Sequence, residues 1–510
     1  MVSFQTGVDA DEQTADDEST VLLRIRIQPA ARAPLTIEPI QIMGISSVVA
    51  PNTTALLFYN ERLDDGALFD SLQHFLMVYP FLGGKFIFAS ELGDEKPADA
   101  AAYTLRHLRT WIKWGTETDP GMPFTVVQRK DSMAAHQPRF VHNGVTDLTP
   151  FHGNALTPPT KGLLADRDTP CGMIQVTHFT DGTSVALSVS HMLADATTAA
   201  QMLKDWAAIH RSLAAGKLEI PSRPFHYADV DGQAAGDLNS EFEDPVQTEI
   251  ESKQDMFRYD GWASGMPIPD HLKAADERQG SPRGKPLPPN SLVFAQDVAY
   301  HAVHFSAADL ERIHARVQGQ AEGFVSIHDA FAAHLWRLMT RARQQTGTLD
   351  LNVACDARRR FPRPLPSNTL GMFNTCLGFQ GEADVLLGEK GEVWAAQRLR
   401  QAIGSFTPET IAAFLHRRAH DLHPMREQIC ACHPENTIMT TWARAGLEDV
   451  DFGKGKPVYT HFHVQAFPGY VCIMRECGEG KKWYEPGLHA DLWLEKEAME
   501  RFLADPELRR

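Results

Sequence analysis

Residues 173–213 read MIQVTHFTDGTSVALSVSHMLADATTAAQMLKDWAAIHRSL. The first part is patterned as a hairpin: Ile174 to Phe179, a turn at Asp181 and Gly182, then Ser184 to Ser190, where Val185, Leu187 and Val189 alternate with small residues. The periodicity then lapses for about five residues, after which Ala199, Met202, Leu203, Trp206 and Ile209 recur at the spacing of one helix face. His191 and Asp195 therefore fall in a tight strand-to-helix turn, where side chains project out of a layered core. This stretch mixes strand and helix signals.

Outward from this stretch the same mixture continues. Leu68 to Phe81 (LFDSLQHFLMVYPF) places Leu68, Leu72, Phe75, Leu76 and Tyr79 at helical spacing, and Pro80 with Gly83 and Gly84 ends the helix. Ser326 to Arg343 puts Ile327, Phe331, Leu335 and Leu338 on one face, with Ser326 as N-cap. At roughly 150 residues per domain, 510 residues suggest two to three domains, and 43% hydrophobic residues suffice for real cores. No short repeat or extended low-complexity segment points to a solenoid or propeller. Composition shifts after Pro221, and the stretch 229–290 mixes acidic clusters with Pro and Gly before ending in QGSPRGKPLPPN. The expected organisation is a mobile acidic N-terminus (1–19), an N-terminal domain (20–228), a crossover linker (229–290) and a C-terminal domain (291–510).

Forty-nine Lys and Arg against 65 Asp and Glu give a net charge of −16, which argues against general binding to nucleic acid or an anionic membrane. A small polyanion needs only a local basic patch. No apolar run approaches the roughly 18 residues of a membrane helix, and the first residues are acidic and polar, so a cytoplasmic location is expected. Seven scattered cysteines suit a reducing compartment and free thiols.

The chain lacks GxxxxGK[ST], GxGxxG, HExxH, GxSxG and CxxC, which counts against a nucleotidase, a Rossmann-type nicotinamide enzyme, a zincin and a serine hydrolase. The stretch 416–433 gathers His416, His420, His423, Cys430, Cys432 and His433, but CxC followed at once by His lacks zinc-finger spacing, so no metal is expected there. HxxxD occurs once, at a strand end. A lone match has two readings: a reactive histidine, or a helix-capping Asp195 beside an incidental one.

HMLAD after a hydrophobic strand, the WAAIHRS helix end and DFGKGKP at 451–457 together resemble the BAHD acyltransferases, whose paired signatures are HxxxD and DFGWG. Four weaker stretches extend the resemblance: SLQHFLMVYPFLGGKF (71–86), VHFSAADLERI (303–313), VACDARRRFPRPLP (353–366) and TTWARAG (440–446). The divergent stretches look more fungal than plant. Three departures stand out: Ala196 for the usual Gly, Lys454 for the DFGWG tryptophan, and LGMFN at 370–374 for the usual FGN.

The resemblance implies two chloramphenicol-acetyltransferase-like α/β domains, each a mixed sheet flanked by helices, with the active site in a channel between them. It implies acyl-CoA as co-substrate, no permanently bound cofactor, no metal, a small-molecule acceptor and a monomer that engages neither nucleic acid nor membrane. His191 would be the general base. Asp195 could orient the imidazole, as in hydrolase triads, or pair with an arginine of the other domain; the family favours the second, with Arg358 as partner. Asp451, Gly453 and Gly455 would form a structural loop, although an ordinary glycine turn reads the same way. Thr440 and Trp442 would line the acceptor pocket, unless Trp442 is a core aromatic. Coenzyme A phosphates would need basic residues, with Arg359, Arg360, Arg363, Arg283 and Lys285 as candidates. The rivals are a condensation-type enzyme fed by carrier proteins, whose HHxxxDG motif is opposed by Ser190, and a non-catalytic binding protein on the same scaffold.

Overall fold

The computed structural model describes residues 18–510, apart from 46, 48–49, 137–143, 150–154, 159–167, 224–226, 280–281, 292–297, 367–368, 425 and 464–466. The expected mobility of the N-terminus concerns residues that, up to 17, lie outside those described.

In chain order the first half comprises β1 (Ser19–Ile27), β2 (Thr36–Pro39), α1 (Ile42–Ile45), β3 (Thr53–Tyr59), α2 (Asp65–Val78), β4 (Lys85–Phe88), β5 (Thr110–Trp114), β6 (Met122–Arg129), β7 (Val145–Asp147), β8 (Gly172–His178), β9 (Thr183–Val189) and α3 (Ala196–Ala214). The middle carries α4 (Tyr227–Asp231), α5 (Pro245–Glu251), β10 (Tyr259–Asp260), α6 (Lys273–Gln279) and β11 (Lys285–Pro286). The second half comprises β12 (Val298–Ser306), α7 (Ala307–Gln318), α8 (Ile327–Ala342), β13 (Thr348–Asp356), β14 (Asn374–Glu382), α9 (Ala383–Leu387), α10 (Gly391–Ser405), α11 (Pro408–Ala419), β15 (Glu427–Gln428), β16 (Asn436–Thr441), β17 (Tyr459–His463), β18 (Tyr470–Arg475), β19 (Gly487–Glu495) and α12 (Lys496–Leu503).

The deciding stretch folds as β8, β9 and α3, and the five residues read as its apolar face are all buried. α2 ends at Val78, where Pro80 opens the next turn; α8 starts from Ser326, whose hydroxyl accepts from the Asp329 N–H.

Two mixed sheets dominate. The first runs β1-β6-β8-β9-β3-β17 and the second β14-β13-β16-β18-β19-β12-β7, with small sheets β2-β5-β4 and β11-β10-β15 beside them. Leu187 and Val189 of β9 join Leu72 and Phe75 of α2 and Trp206 of α3 in one core, while α8 and α10 cover the second sheet through Trp336, Phe331, Leu399, Leu377 and Phe379. The β9 face opposite α3 carries Ser188, which the Asn52 amide and the Thr54 hydroxyl each approach at 3.1 Å.

The expected domain boundaries are crossed twice. β7, from the first half, pairs with β12 at the edge of the second sheet, and β17, from the second half, pairs with β3 to complete the first. Across this join His461 of β17 lies 2.9 Å from the Tyr300 hydroxyl of β12 and 3.2 Å from Asp491 of β19. The segment expected as a linker also differs from expectation. Its Pro and Gly residues break it into short elements, but it packs α5 on α11 and pairs β10 with β15. Buried Val230, Glu251, Tyr259 and Asp260 anchor it, so it forms part of the second domain's wall.

Candidate active site

His191 begins the turn between β9 and α3 and is half-buried. Burial holds its imidazole below the usual value, with its own backbone and the Asp195 charge opposing. The ring is thus held neutral near pH 7, the form that can take a proton. Its Nδ1 is buried without a hydrogen-bond partner among the described residues.

Asp195 is turned away from that ring. It caps α3, with Oδ1 accepting from the Thr198 N–H at 3.0 Å. Arg358 donates to both carboxylate oxygens, at 2.8 and 2.9 Å, and the Phe373 N–H donates to Oδ2 at 3.0 Å. Four donors use the accepting capacity of one carboxylate, and none of them is His191. Burial alone would raise the acid's pKa; the charge and hydrogen bonds of Arg358 outweigh it and hold the group below its ordinary value. Asp195 is 1% exposed and Arg358 3%, so each neutralises a charge that would otherwise be buried alone. The grip spans the domains: Arg358 follows β13 and Phe373 precedes β14, while Asp195 belongs to the first sheet's helix. Thr198 reinforces it, its hydroxyl donating to the Gly371 carbonyl at 2.8 Å and accepting from Arg358 at 2.8 Å. The departure LGMFN is therefore the segment that docks on the turn. At Gly371, with φ of +143°, a Cβ would stand 2.1 Å from Gln41 Oε1.

The DFGKG loop sits at the far end of α3. Asp451 Oδ1 accepts from the Gly453 and Gly455 N–H groups at 2.7 and 3.1 Å, closing a turn in which both glycines take positive φ. Phe452 packs against Trp206, ring centroids 4.8 Å apart, and Arg211 donates to the Asp451 carbonyl. Arg211 lies sixteen residues beyond Asp195, roughly 24 Å along the helix axis. Lys454 is exposed, so its replacement of tryptophan touches nothing in the turn that carries His191.

Thr440 lies one residue before the end of β16, half-buried, in register with Cys472, which is in register with Asp491. Trp442 is buried with its ring 4.6 Å from that of Phe462 on β17. It thus joins the two domains' apolar surfaces, a core role by position.

The basic candidates separate. Arg283 is corrected: it is buried among Glu243, Asp421 (2.9 Å) and Glu427 (3.1 Å) and is not open to a phosphate. Arg360 donates to the carbonyls of Ile403 and Phe406 at the C-terminal end of α10. Arg363 and Lys285 are exposed, the latter on the small sheet beside β10. Arg359 is exposed next to the Asp195 grip, and its charge reaches Arg444, whose pKa is pushed below its ordinary value first by burial and then by the Arg359 charge. Arg444 also lies over the Trp483 ring at 4.4 Å. In the sequence TTWARAG draws notice to its hydroxyl and indole, and nothing local marks Arg444.

The 416–433 histidines serve the wall. His416 and His420 bond Ala235, Asp244 and Ser240, and among the described residues no group of three His, Cys, Asp or Glu is placed to hold a metal ion. Among them, too, no helix is long and apolar enough to cross a membrane.

The family model described as the transferase family matches residues 153–509, which includes both motif regions. The chain belongs to the BAHD acyltransferase family. The acyltransferase AFT15-1 of Alternaria alternata is 21% identical over 464 residues, covering 86% of each chain. A hydroxycinnamoyl-CoA:piscidic acid hydroxycinnamoyltransferase of Actaea racemosa is 24% identical over 60% of this chain and 64% of its own. Among solved structures, vinorine synthase superposes with a TM-score of 0.61 at 18% identity, over 95% of this chain and 96% of its own. TRI101 of F. sporotrichioides, complexed with coenzyme A and T-2, superposes with a TM-score of 0.60 at 16% identity, over 92% and 98%. The two-domain mixed α/β architecture is thus that of the BAHD fold.

Proposed function

We propose that this BAHD protein moves an acyl group from a coenzyme A thioester to a hydroxyl of a small specialised metabolite, with His191 as general base. The observation that carries the reading is a neutral, half-buried imidazole in a turn clamped from the other domain, with the motif carboxylate diverted to Arg358. His191 Nε2 takes the acceptor's proton as its oxygen attacks the thioester carbon. The tetrahedral intermediate then collapses, the carbon–sulfur bond breaks, and the imidazolium returns the proton to the departing thiolate. Asp195 is a positioning residue in this scheme: it fixes the turn. Thr440 supplies a hydroxyl to the acceptor or the oxyanion, and Trp442 shapes the wall behind it. Arg359 and Arg444, both exposed and of like charge that the second feels from the first, suit the phosphates of coenzyme A.

The test is release of free coenzyme A thiol from acetyl-CoA and longer acyl-CoAs offered with a panel of hydroxylated metabolites. Acceptor-dependent release that falls about 10²–10⁴-fold in His191→Ala is expected. Equal release by that variant overturns the base assignment. Silence across the panel, without coenzyme A binding by calorimetry, overturns the donor and returns carrier-protein and non-catalytic roles.

A further inference from the structure

Three thiols that the acyl-transfer scheme leaves unused meet on the second sheet. Cys376 lies on β14 opposite Ala354 of β13. Its neighbour Leu377 points into the core under α8 and α10, so Cys376 shares the other face with Gly378 and Gln380, opposite Asn352 and Asp350. The segment 430–433 lies across that same face. Asn436 donates to the Ala431 carbonyl at 2.5 Å and accepts from Asn352 at 2.9 Å, while His433 Nε2 meets Asp350 at 3.0 Å. Cys430 and Cys432, flanking Ala431, are thereby placed on the face that carries Cys376. All three are free and partly exposed, unlike the fully buried Cys171 and Cys472.

We propose that Cys376 and Cys430 form a redox-responsive pair that a hydroperoxide converts to a disulfide, at a place in the fold that bears on the grip around Asp195. Roles within the pair differ. The neighbouring Cys430 thiol holds the Cys376 thiol below its ordinary value, whereas Cys430 is pushed well above and Cys432 up to about 12. Cys376 is the nucleophile. Its thiolate attacks one peroxide oxygen, the O–O bond breaks, and Cys376 becomes a sulfenic acid as hydroxide or alkoxide leaves and takes up a proton. The Cys430 sulfur then attacks the sulfenic sulfur, the S–O bond breaks, water departs with the Cys430 proton, and the S–S bond forms. With hydrogen peroxide the balance is two thiols and one peroxide giving one disulfide and two waters. Closing the contact to the 2.05 Å of a disulfide draws β14 toward residue 430. Phe373, which donates to Asp195, is three residues from Cys376, and Cys355 stands three before Arg358 on the paired strand. The effect on acyl transfer rests on the function proposed above; the disulfide itself does not.

The full-length protein is treated with hydrogen peroxide, alkylated and mapped by mass spectrometry under non-reducing conditions. Loss of two of the seven alkylatable thiols is expected, with one cross-link joining Cys376 to Cys430, reversed by dithiothreitol. The cross-link disappears in Cys376→Ser and in Cys430→Ser and persists in Cys432→Ser. A cross-link through Cys432, two-thiol loss surviving in Cys376→Ser, or no loss in the native protein overturns the pair. On the same samples, acceptor-dependent coenzyme A release is expected to fall at least about fivefold on oxidation in the parent protein and not in Cys430→Ser. A cross-link without that fall overturns the coupling to the grip. No release even from the reduced protein counts against the functional reading, while the peptide map still decides the thiol pair.

Discussion

α3 carries one family motif at each end, and the two ends are built differently. At the first, a carboxylate 1% exposed takes four hydrogen bonds, two of them from an arginine of the opposite domain, and a neutral imidazole stands beside it. At the second, an aspartate folds back on two glycine N–H groups in an exposed turn, and only Phe452 reaches the core. A buried charge has one low-energy arrangement, so the first end fixes geometry across the domain join. The second end is local and tolerates the loss of the family tryptophan. Presence of a motif thus says little about what that motif does.

The sharpest way to break this contrast is Arg358→Ala, which leaves Asp195 charged and buried without its partner. A loss of about 3–5 kcal/mol is expected in denaturant unfolding, together with lost acyl transfer. A change under about 1 kcal/mol would mean that the grip is not buried as described. The next effect is in pH. Because burial lowers the His191 pKa, the base form persists further into acid, so the acid limb of kcat/KM should lie below the ordinary imidazole value of about 6.5. A midpoint above it would sink the desolvated-base reading. At the other end, Asp451→Ala removes a turn-closing acceptor and should cost about 1 kcal/mol by thermal unfolding, with kcat unchanged. A large kcat loss would place that loop nearer the chemistry than α3 allows. Smallest of all, Lys454→Trp should alter stability by less than about 0.5 kcal/mol and kcat/KM by less than about twofold.

The first end of α3 was largely legible in the sequence. Period-2 alternation, an Asp-Gly turn and five apolar residues at helical spacing are local signals, and the strand, turn and buried face follow from them. The Arg358 partner came through family resemblance, since no local pattern links positions 163 residues apart. Other features have no local trace. Nothing in the residues of β7 and β17 marks which sheet edge each joins, and the exchange depends on packing across the domain join. Arg283 and Arg359 look alike in a loop. One is buried because Glu427 and Asp421, far along the chain, neutralise it; the other is exposed. Arg444 gains its meaning only from the Arg359 charge that reaches it across the fold.

The strand exchange also sets a timetable for synthesis. β3 (TTALLFY, entirely buried) is complete at Tyr59, but the neighbour that seals its outer side, β17, is not made until Tyr459–His463, about 400 residues later. At 5–20 residues per second the nascent chain therefore carries an open apolar strand edge for roughly 20–80 s. Such an edge is a template for pairing with other chains. A first half cut at the crossover would keep that edge open until the second half supplied β17, so the two halves of this molecule interlock rather than merely adjoin.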